Sequence, residues 1–479
     1  MAEKLSGIDS SFLALENATC PMHVMGVLLL DPEGMDGGYS FDTLIGMLTA
    51  RIHLMPQLRR RLVQAPFDLD HGRWIEDPDF DVARHVRRVD AGATATETGT
   101  VPSWSWLEGL VGAASASRLD RTRPLWEMIV VEGVTGLDGT DGLVAVVTKM
   151  HHAIIDGVSG ADLMVHMFDL SAEVRDVEPP DEAWVGEDQP SSLLMLGDAV
   201  VNQVTNPIRL IGELAKSAGS LATSARSAVG KRKESGLGLT APAVPWTGAL
   251  SERRSVALGR SSLDDMKTIK AAYACKINDV ILAATTLALR DYLIWMDALP
   301  DRPLAAAVPI ALQRPEGEER RANELATMLS PLPVQLEDPV EVLHVIAAAT
   351  RASKELVHAV GAPNMMEWAG FTAPRLLNVF SGLYAKLRLA DLHPPIQNVV
   401  VSNVPGPPLE LWVAGAKVVG VFPMGPVLPG AGLNLTILSN MGNVDLGIMA
   451  DAETVPEVHR IADGFTNGVQ QLLASIAAD

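Results

Sequence analysis

Apolar positions fall in two recurring patterns along this chain. Short, nearly continuous apolar runs appear at His23–Leu30 (HVMGVLLL), Leu125–Glu132 (LWEMIVVE) and Leu143–Met150 (LVAVVTKM). Runs of that length bounded by turn residues read as buried strands. Asp31-Pro32 closes the first, and the Gly/Asp-rich GVTGLDGTDG between the other two predicts a hairpin. Phe41–Arg51 and Val158–Leu170 carry apolar residues at helical spacing instead. After residue 250 the two patterns mix again. Strands are predicted at Ser255–Leu258, Leu304–Ile310, Leu332–Leu336, Asn398–Ser402, Leu433–Ser439 and Val444–Met449, and helices at Leu263–Ala272, Asn278–Ile294, Val340–Val357 and Pro456–Ile476. Strands and helices alternating in both halves predict an α/β or α+β fold, and 479 residues suit two domains of similar size.

The middle of the chain differs. Glu173–Asp188 holds seven acidic residues, one arginine and Pro179-Pro180, a solvated linker by composition. Beyond it, Leu193, Leu196, Val200, Val204, Ile208, Ile211, Leu214 and Leu221 recur at steps that put most of them on one side of a helix, with Asn206-Pro207 as a break. Arg209, Lys216, Arg226 and Lys231-Arg232-Lys233 make this stretch basic, a pattern suited to an anionic membrane or droplet interface or to an inter-domain helix. The expected division is 1–170, 171–250 (linker plus amphipathic segment) and 251–479.

Composition narrows the function. A net charge of −20 argues against nucleic acid as a partner, because phosphate binding draws on basic contacts. Two cysteines, Cys20 and Cys275, make no disulfide framework. The opening MAEKLSGIDSSF lacks the profile of a secretory signal, and no apolar run approaches the ~18 residues of a spanning helix. A cytoplasmic protein able to lie on a membrane is expected.

The chemistry concentrates at Lys149-Met150-His151-His152-Ala153-Ile154-Ile155-Asp156-Gly157. A buried strand runs into two histidines, which strand alternation should send to opposite faces. Asp156 follows at a turn that Gly157 permits, and Ser159 with Asp162 resembles a capping box. Imidazole, with an ordinary pKa near 6.5, is mostly neutral at physiological pH and can take a proton. Acyl transfer from a thioester to a hydroxyl needs such a base and an oxyanion donor, and no protein nucleophile. A structural histidine pair and a partial metal site are the competing readings; the latter has no third ligand nearby, since His166 lies a helix away.

HHAIIDG at 151–157 resembles the HHxxxDG motif of the bacterial wax ester synthase/diacylglycerol acyltransferase family. Further segments resemble it in order: Leu5-Ser6 through Asp9, Phe12-Leu13 and Glu16; Met22-His23-Val24; Trp74 with Asp77-Pro78-Asp79-Phe80-Asp81 and His85-Val86; Arg123-Pro124-Leu125-Trp126-Glu127; Asn278-Asp279-Val280; Asn323, Met328 and Leu332-Pro333; Ser402 through Pro407; and Gly432-Leu433-Asn434. The resemblance implies two chloramphenicol-acetyltransferase-like domains with a channel between them. It makes His152 the general base and gives Asp156 the task of holding the active-site turn, commonly by pairing with an arginine, for which Arg118, Arg121 and Arg123 are candidates. His151 then faces away or supports the site. Gly157, Asn278, Asp279, Asn403 and Arg314 are the implied substrate-side residues. The expected substrates are a long-chain acyl-CoA, as co-substrate, and diacylglycerol or a long-chain alcohol. No bound cofactor and no metal are expected, and the protein would associate peripherally with the inner membrane or lipid droplets.

The chain departs from the family at Pro309-Ile310-Ala311-Leu312-Gln313-Arg314-Pro315, where alanine replaces a serine of P-V-S-x-R-P and one residue is added, which alters the expected placement of Arg314. Arg59-Arg60-Arg61 and Arg320-Arg321 are basic clusters of the kind coenzyme A phosphates require, or simply solvated faces. Two rival readings are a related CoA-dependent enzyme acylating a polar or carrier-bound substrate, and a non-catalytic droplet-binding protein.

Overall fold

The computed structural model describes residues 2–35, 37–90, 103–155, 163–180, 184–202, 240–311, 325–360 and 374–476. Two six-stranded sheets organise them. The first runs β12 (Trp412–Val413), β13 (Ala416–Met424), β2 (His23–Asp31), β7 (Leu143–His151), β6 (Trp126–Val134), β5 (Val86–Asp90). The second runs β10 (Leu325–Leu332), β9 (Leu304–Ala311), β11 (Val399–Pro405), β14 (Leu433–Asn440), β15 (Asn443–Asp451), β8 (Arg254–Ser262). A small sheet of β1 (Glu3–Lys4), β4 (Arg73–Glu76) and β3 (Arg60–Val63) sits beside the first.

The sequence reading of the central strands holds. β6 and β7 pair antiparallel across the Gly/Asp turn, and β7 also pairs with β2, bringing His151 opposite His23. The parallel pairs are β5–β6, β11–β14 and β11–β9. The expected strand Leu332–Leu336 is displaced: β10 ends at Leu332, and Val334 and Leu336 donate into tight turns instead. Pro333 has no N–H for a ladder and stops the strand there.

Sheet membership also departs from a division at residue 251. β12 and β13 come from the C-terminal half, yet β13 pairs antiparallel with β2 of the first sheet from Lys417↔Asp31 to Met424↔Met25. Val418, Val421, Phe422 and Met424 are buried there. Nothing in the periodicity marks the partner of a strand that crosses between halves. The crossing is tight. A Cβ on Gly447 of β15 would lie 2.1 Å from the Pro423 carbonyl of β13, so only glycine permits that approach. Asp445 adds a polar tie, accepting from Val421 N (2.8 Å) and from Arg260 Nε (2.6 Å).

Helices cover these sheets. Serines cap four of them: Ser6 on α1 (Gly7–Leu15), Ser40 on α2 (Phe41–Arg51), Ser103 on α3 (Trp104–Ala116) and Ser262 on α4 (Leu263–Ala272). Each hydroxyl accepts a first-turn N–H that would otherwise be orphaned. The second sheet buries α5 (Ile277–Trp295) and α8 (His459–Ser475), and every residue from Asp279 to Leu289 is inside. α6 (Pro339–Val360) packs on α5. α7 (Pro374–Lys386) lies against α1. Among the described residues no single helix is long and apolar enough to cross a membrane.

Candidate functional site

The two histidines stand where β7 stops. His151 is the last strand residue and donates its backbone N–H to Leu125 O at 2.9 Å. His152 is already in the following turn and donates its backbone N–H to Met22 O at 2.8 Å. Residues of the motif-like segments at Met22-His23 and Pro124-Leu125-Trp126 therefore pin both backbones. Trp126 is itself anchored, with Nε1–H donating to Leu58 O at 2.7 Å and His85 stacked on its ring at 4.5 Å.

Strand alternation predicts opposite faces for the pair, but the strand ends between them. Both rings come under the same helix, α1, beside residues four apart. Phe12 stacks on His152 with ring centroids 4.1 Å apart. Glu16, at the helix C-cap, faces His151 Nε2 at 3.9 Å and His23 Nε2 at 3.6 Å. Arg121 closes the other side of Glu16: Nε donates to Oε2 at 2.9 Å, and a terminal amino group reaches the same oxygen and Leu13 O. Burial alone would raise the Glu16 carboxyl, but His23 and the Arg121 guanidinium outweigh it and hold it at about 2. Of the candidate arginines, Arg121 is thus committed to Glu16, and Arg123 lies 3.8 Å from Asp120.

The roles of the two imidazoles separate. His151 is 1% exposed, and its Nδ1 accepts from Ala153 N at 3.0 Å. That bond fixes the tautomer with the proton on Nε2, turned to Glu16. Burial drives the His151 pKa down to about 3, so it stays neutral and props the turn that carries His152. His152 is only partly buried, and burial lowers its pKa as well. Its Nδ1 is enclosed without a hydrogen-bond partner among the described residues.

The remaining expected residues divide. Asp156, Gly157 and Arg314 lie outside the described residues, as do Ser159, Asp162, Asn323 and Arg320-Arg321. Asp279 is 4% exposed; its Oδ2 accepts from Lys276 N (2.9 Å), and its Oδ1 accepts from Thr350 Oγ1 (2.7 Å). That carboxylate closes the N-terminus of α5 and ties it to α6. Asn278 is the second residue of that helix. Asn403 lies on β11, paired with Ile437. Among the described residues, no hydrogen bond or ring contact joins Asn278, Asp279 or Asn403 to His152. The Arg59–Arg61 cluster is neutralised: Arg59 faces Glu76, Arg60 contacts Glu3 and Glu76, and Arg61 faces Asp77. It is no free phosphate site. Among the described residues no group of three or more His, Cys, Asp or Glu side chains is placed to hold a metal. Sequence reasoning did not give Glu16 a place in the site; the i, i+4 spacing of Phe12 and Glu16 was the available signal.

Comparison with known proteins bears on this geometry. Residues 5–281 match the model of the wax ester synthase/diacylglycerol acyltransferase catalytic domain, and residues 322–473 that of the C-terminal domain of the same family. A Mycobacterium tuberculosis protein named as a diacylglycerol O-acyltransferase is 31% identical over 98% of this chain and 90% of its own length. The protein of the same organism named tgs2 is 31% identical over 97% of both chains. A solved wax ester synthase/diacylglycerol acyltransferase from Marinobacter aquaeolei superposes with a TM-score of 0.67, at 25% identity, over 99% of this chain and 100% of that one. The starter condensation domain of rhizomide synthetase shares the fold, with a TM-score of 0.55 at 13% identity, over 100% of this chain and 95% of that one.

Proposed function

We propose a reaction for this chain on one premise: it belongs to the wax ester synthase/diacylglycerol acyltransferase family. It is an acyltransferase that moves a long-chain acyl group from acyl-CoA to the hydroxyl of diacylglycerol, and also of long-chain alcohols. Neutral His152 takes the hydroxyl proton on Nε2 as the acceptor oxygen attacks the thioester carbonyl. The tetrahedral adduct collapses, the carbon–sulfur bond breaks, and the imidazolium returns its proton to the departing thiolate. The observation that carries this is the pair of environments at the strand end: His151 fully buried and locked as a prop by its bond from Ala153 N, and His152 only partly buried beside it. A lipid-soluble acceptor and product also fit a cytoplasmic enzyme held peripherally at the inner membrane or on lipid droplets.

The test is an ester-forming assay with long-chain acyl-CoA against diacylglycerol, monoacylglycerol, fatty alcohols and a polar acceptor. Ester from the lipid acceptors, and a loss of about 10²- to 10⁴-fold in His152→Ala, is the expected result. His151→Ala should lower thermal stability and keep more activity than His152→Ala. Turnover surviving His152→Ala but abolished in a folded His151→Ala would reverse the assignment. Ester from the polar acceptor alone would move the chain to another substrate class.

A further inference from the structure

α7 is amphipathic the wrong way round for a helix of a soluble protein. Its inward side, which includes Pro374 and Leu377, is held by polar contacts. Ser381 Oγ donates to Leu15 O (3.0 Å) and accepts from Asn17 Nδ2 (3.1 Å), and Asn378 Nδ2 donates to Asp68 Oδ2 (3.3 Å). Its outward side carries Leu376, Val379, Phe380 and Leu383, with Leu387 beyond the last turn, all at least half exposed and at most 69%. These positions, i, i+3, i+4, i+7 and i+11, form one helical stripe. Next to Asp68, Phe67 holds a left-handed backbone (φ 59°) and is 74% exposed, a second aromatic turned outward beside the same helix. A clustered exposed apolar surface of this kind marks an interaction site.

Two observations select the partner. Exposed Arg375 and Lys386 stand near the two ends of the stripe, and no acidic residue occurs from Pro374 to Ala390, in a chain whose net charge is −20; Arg388, which follows, is paired with Asp391 at 2.8 Å. An apolar face rimmed by cations, with no polar atoms in its centre to specify a protein partner, matches an anionic lipid interface. The face is also joined to the site, since Ser381 bonds the end of the helix whose Phe12 lies on His152. The geometry points to this face of α7, with Phe67, as the surface that seats the protein on an anionic phospholipid bilayer and places α1 and His152 near the plane of the acceptor. This inference rests on the peripheral association proposed above and gives it a location different from the segment 193–230.

Flotation of the full chain with vesicles tests it. Wild type should rise with phosphatidylcholine vesicles containing phosphatidylglycerol, rise less without phosphatidylglycerol, and be released by high salt. Val379→Asp/Phe380→Asp/Leu383→Asp should cut the bound fraction by roughly tenfold or more, with unchanged turnover on detergent-dispersed diacylglycerol. Leu193→Asp/Val200→Asp, in the exposed face of the helical run Ser192–Asn202, should float as wild type does. Undiminished flotation of the α7 variant overturns the proposal, as does loss confined to the Leu193/Val200 variant. Failure of wild type to float, with dimers that the α7 variant splits, would make the face a self-association surface and equally overturn it. Ester formed by a wild type that does not float refutes the docking surface alone; flotation without ester refutes the acyltransferase reading alone.

Discussion

His152 and His151 are adjacent in sequence and share one physical influence, burial, which lowers both pKa values. For a base this has a definite sign. The protonated ring is the inactive form, so kcat/KM must rise with pH through the His152 pKa, and burial moves that midpoint below the ordinary 6.5. A pH–rate profile on a dispersed acceptor should therefore show an acid limb centred below 6.5, absent in His152→Ala background turnover. A limb centred above 6.5 would mean either that His152 is not the titrating base or that it is more solvated than its packing under Phe12 implies. The histidine pair was legible because its chemistry is local: strand, turn and imidazole lie within a few residues. Glu16, His23 and Arg121 were not assembled from sequence because Arg121 lies more than 100 residues from Glu16. Arg59–Arg61 stayed open between two readings for the complementary reason, since the carboxylates that neutralise them include Glu3, brought in by the fold.

Among the elements, periodicity recovered those with one buried face or two. β2, β6, β7 and α2, α4, α5 fall within a few residues of their expected bounds. Elements that break the rule were lost. α1 has nine residues, too few for a convincing period, and α7 turns its apolar side outward. The N-terminus of α5 shows how a motif residue can be read two ways. Asp279 looked like a substrate contact by resemblance, but it is buried, and both carboxylate oxygens are occupied within the fold. Asp279→Ala removes a helix cap and the shorter of the two hydrogen bonds of the Thr350 hydroxyl, which keeps only Ala347 O as acceptor, and together these should cost about 1–3 kcal/mol. The expected outcome is a lower midpoint in denaturant with unchanged slope, and a KM for acyl-CoA close to wild type. A large KM increase at unchanged stability would return Asp279 to the substrate side.

At the scale of the whole molecule, strands and helices mix in both halves of the chain, and one sheet draws on both. β13 belongs to the C-terminal segment by sequence and to the first sheet by hydrogen bonding. The first sheet is then incomplete without the C-terminal half of the chain, and the second, though complete in strands, leans on that crossing: Phe422 and Met424 lose their core when β2 unfolds, and β15 loses its neighbour at Pro423. The two sheets should melt together, in one cooperative transition seen alike by far-ultraviolet circular dichroism and tryptophan fluorescence. Gly447→Ala is the sharpest probe of that coupling. Its methyl group would sit 2.1 Å from the Pro423 carbonyl, a backbone atom that cannot swing aside as a side chain would. The strands must part, and overpacking of this kind costs about 1–3 kcal/mol. The whole transition should shift to lower temperature while remaining single. Two resolved transitions in wild type, or a variant in which only one melts early, would show instead that the sheets are stable independently and that the crossing of β13 is a connection without energetic consequence.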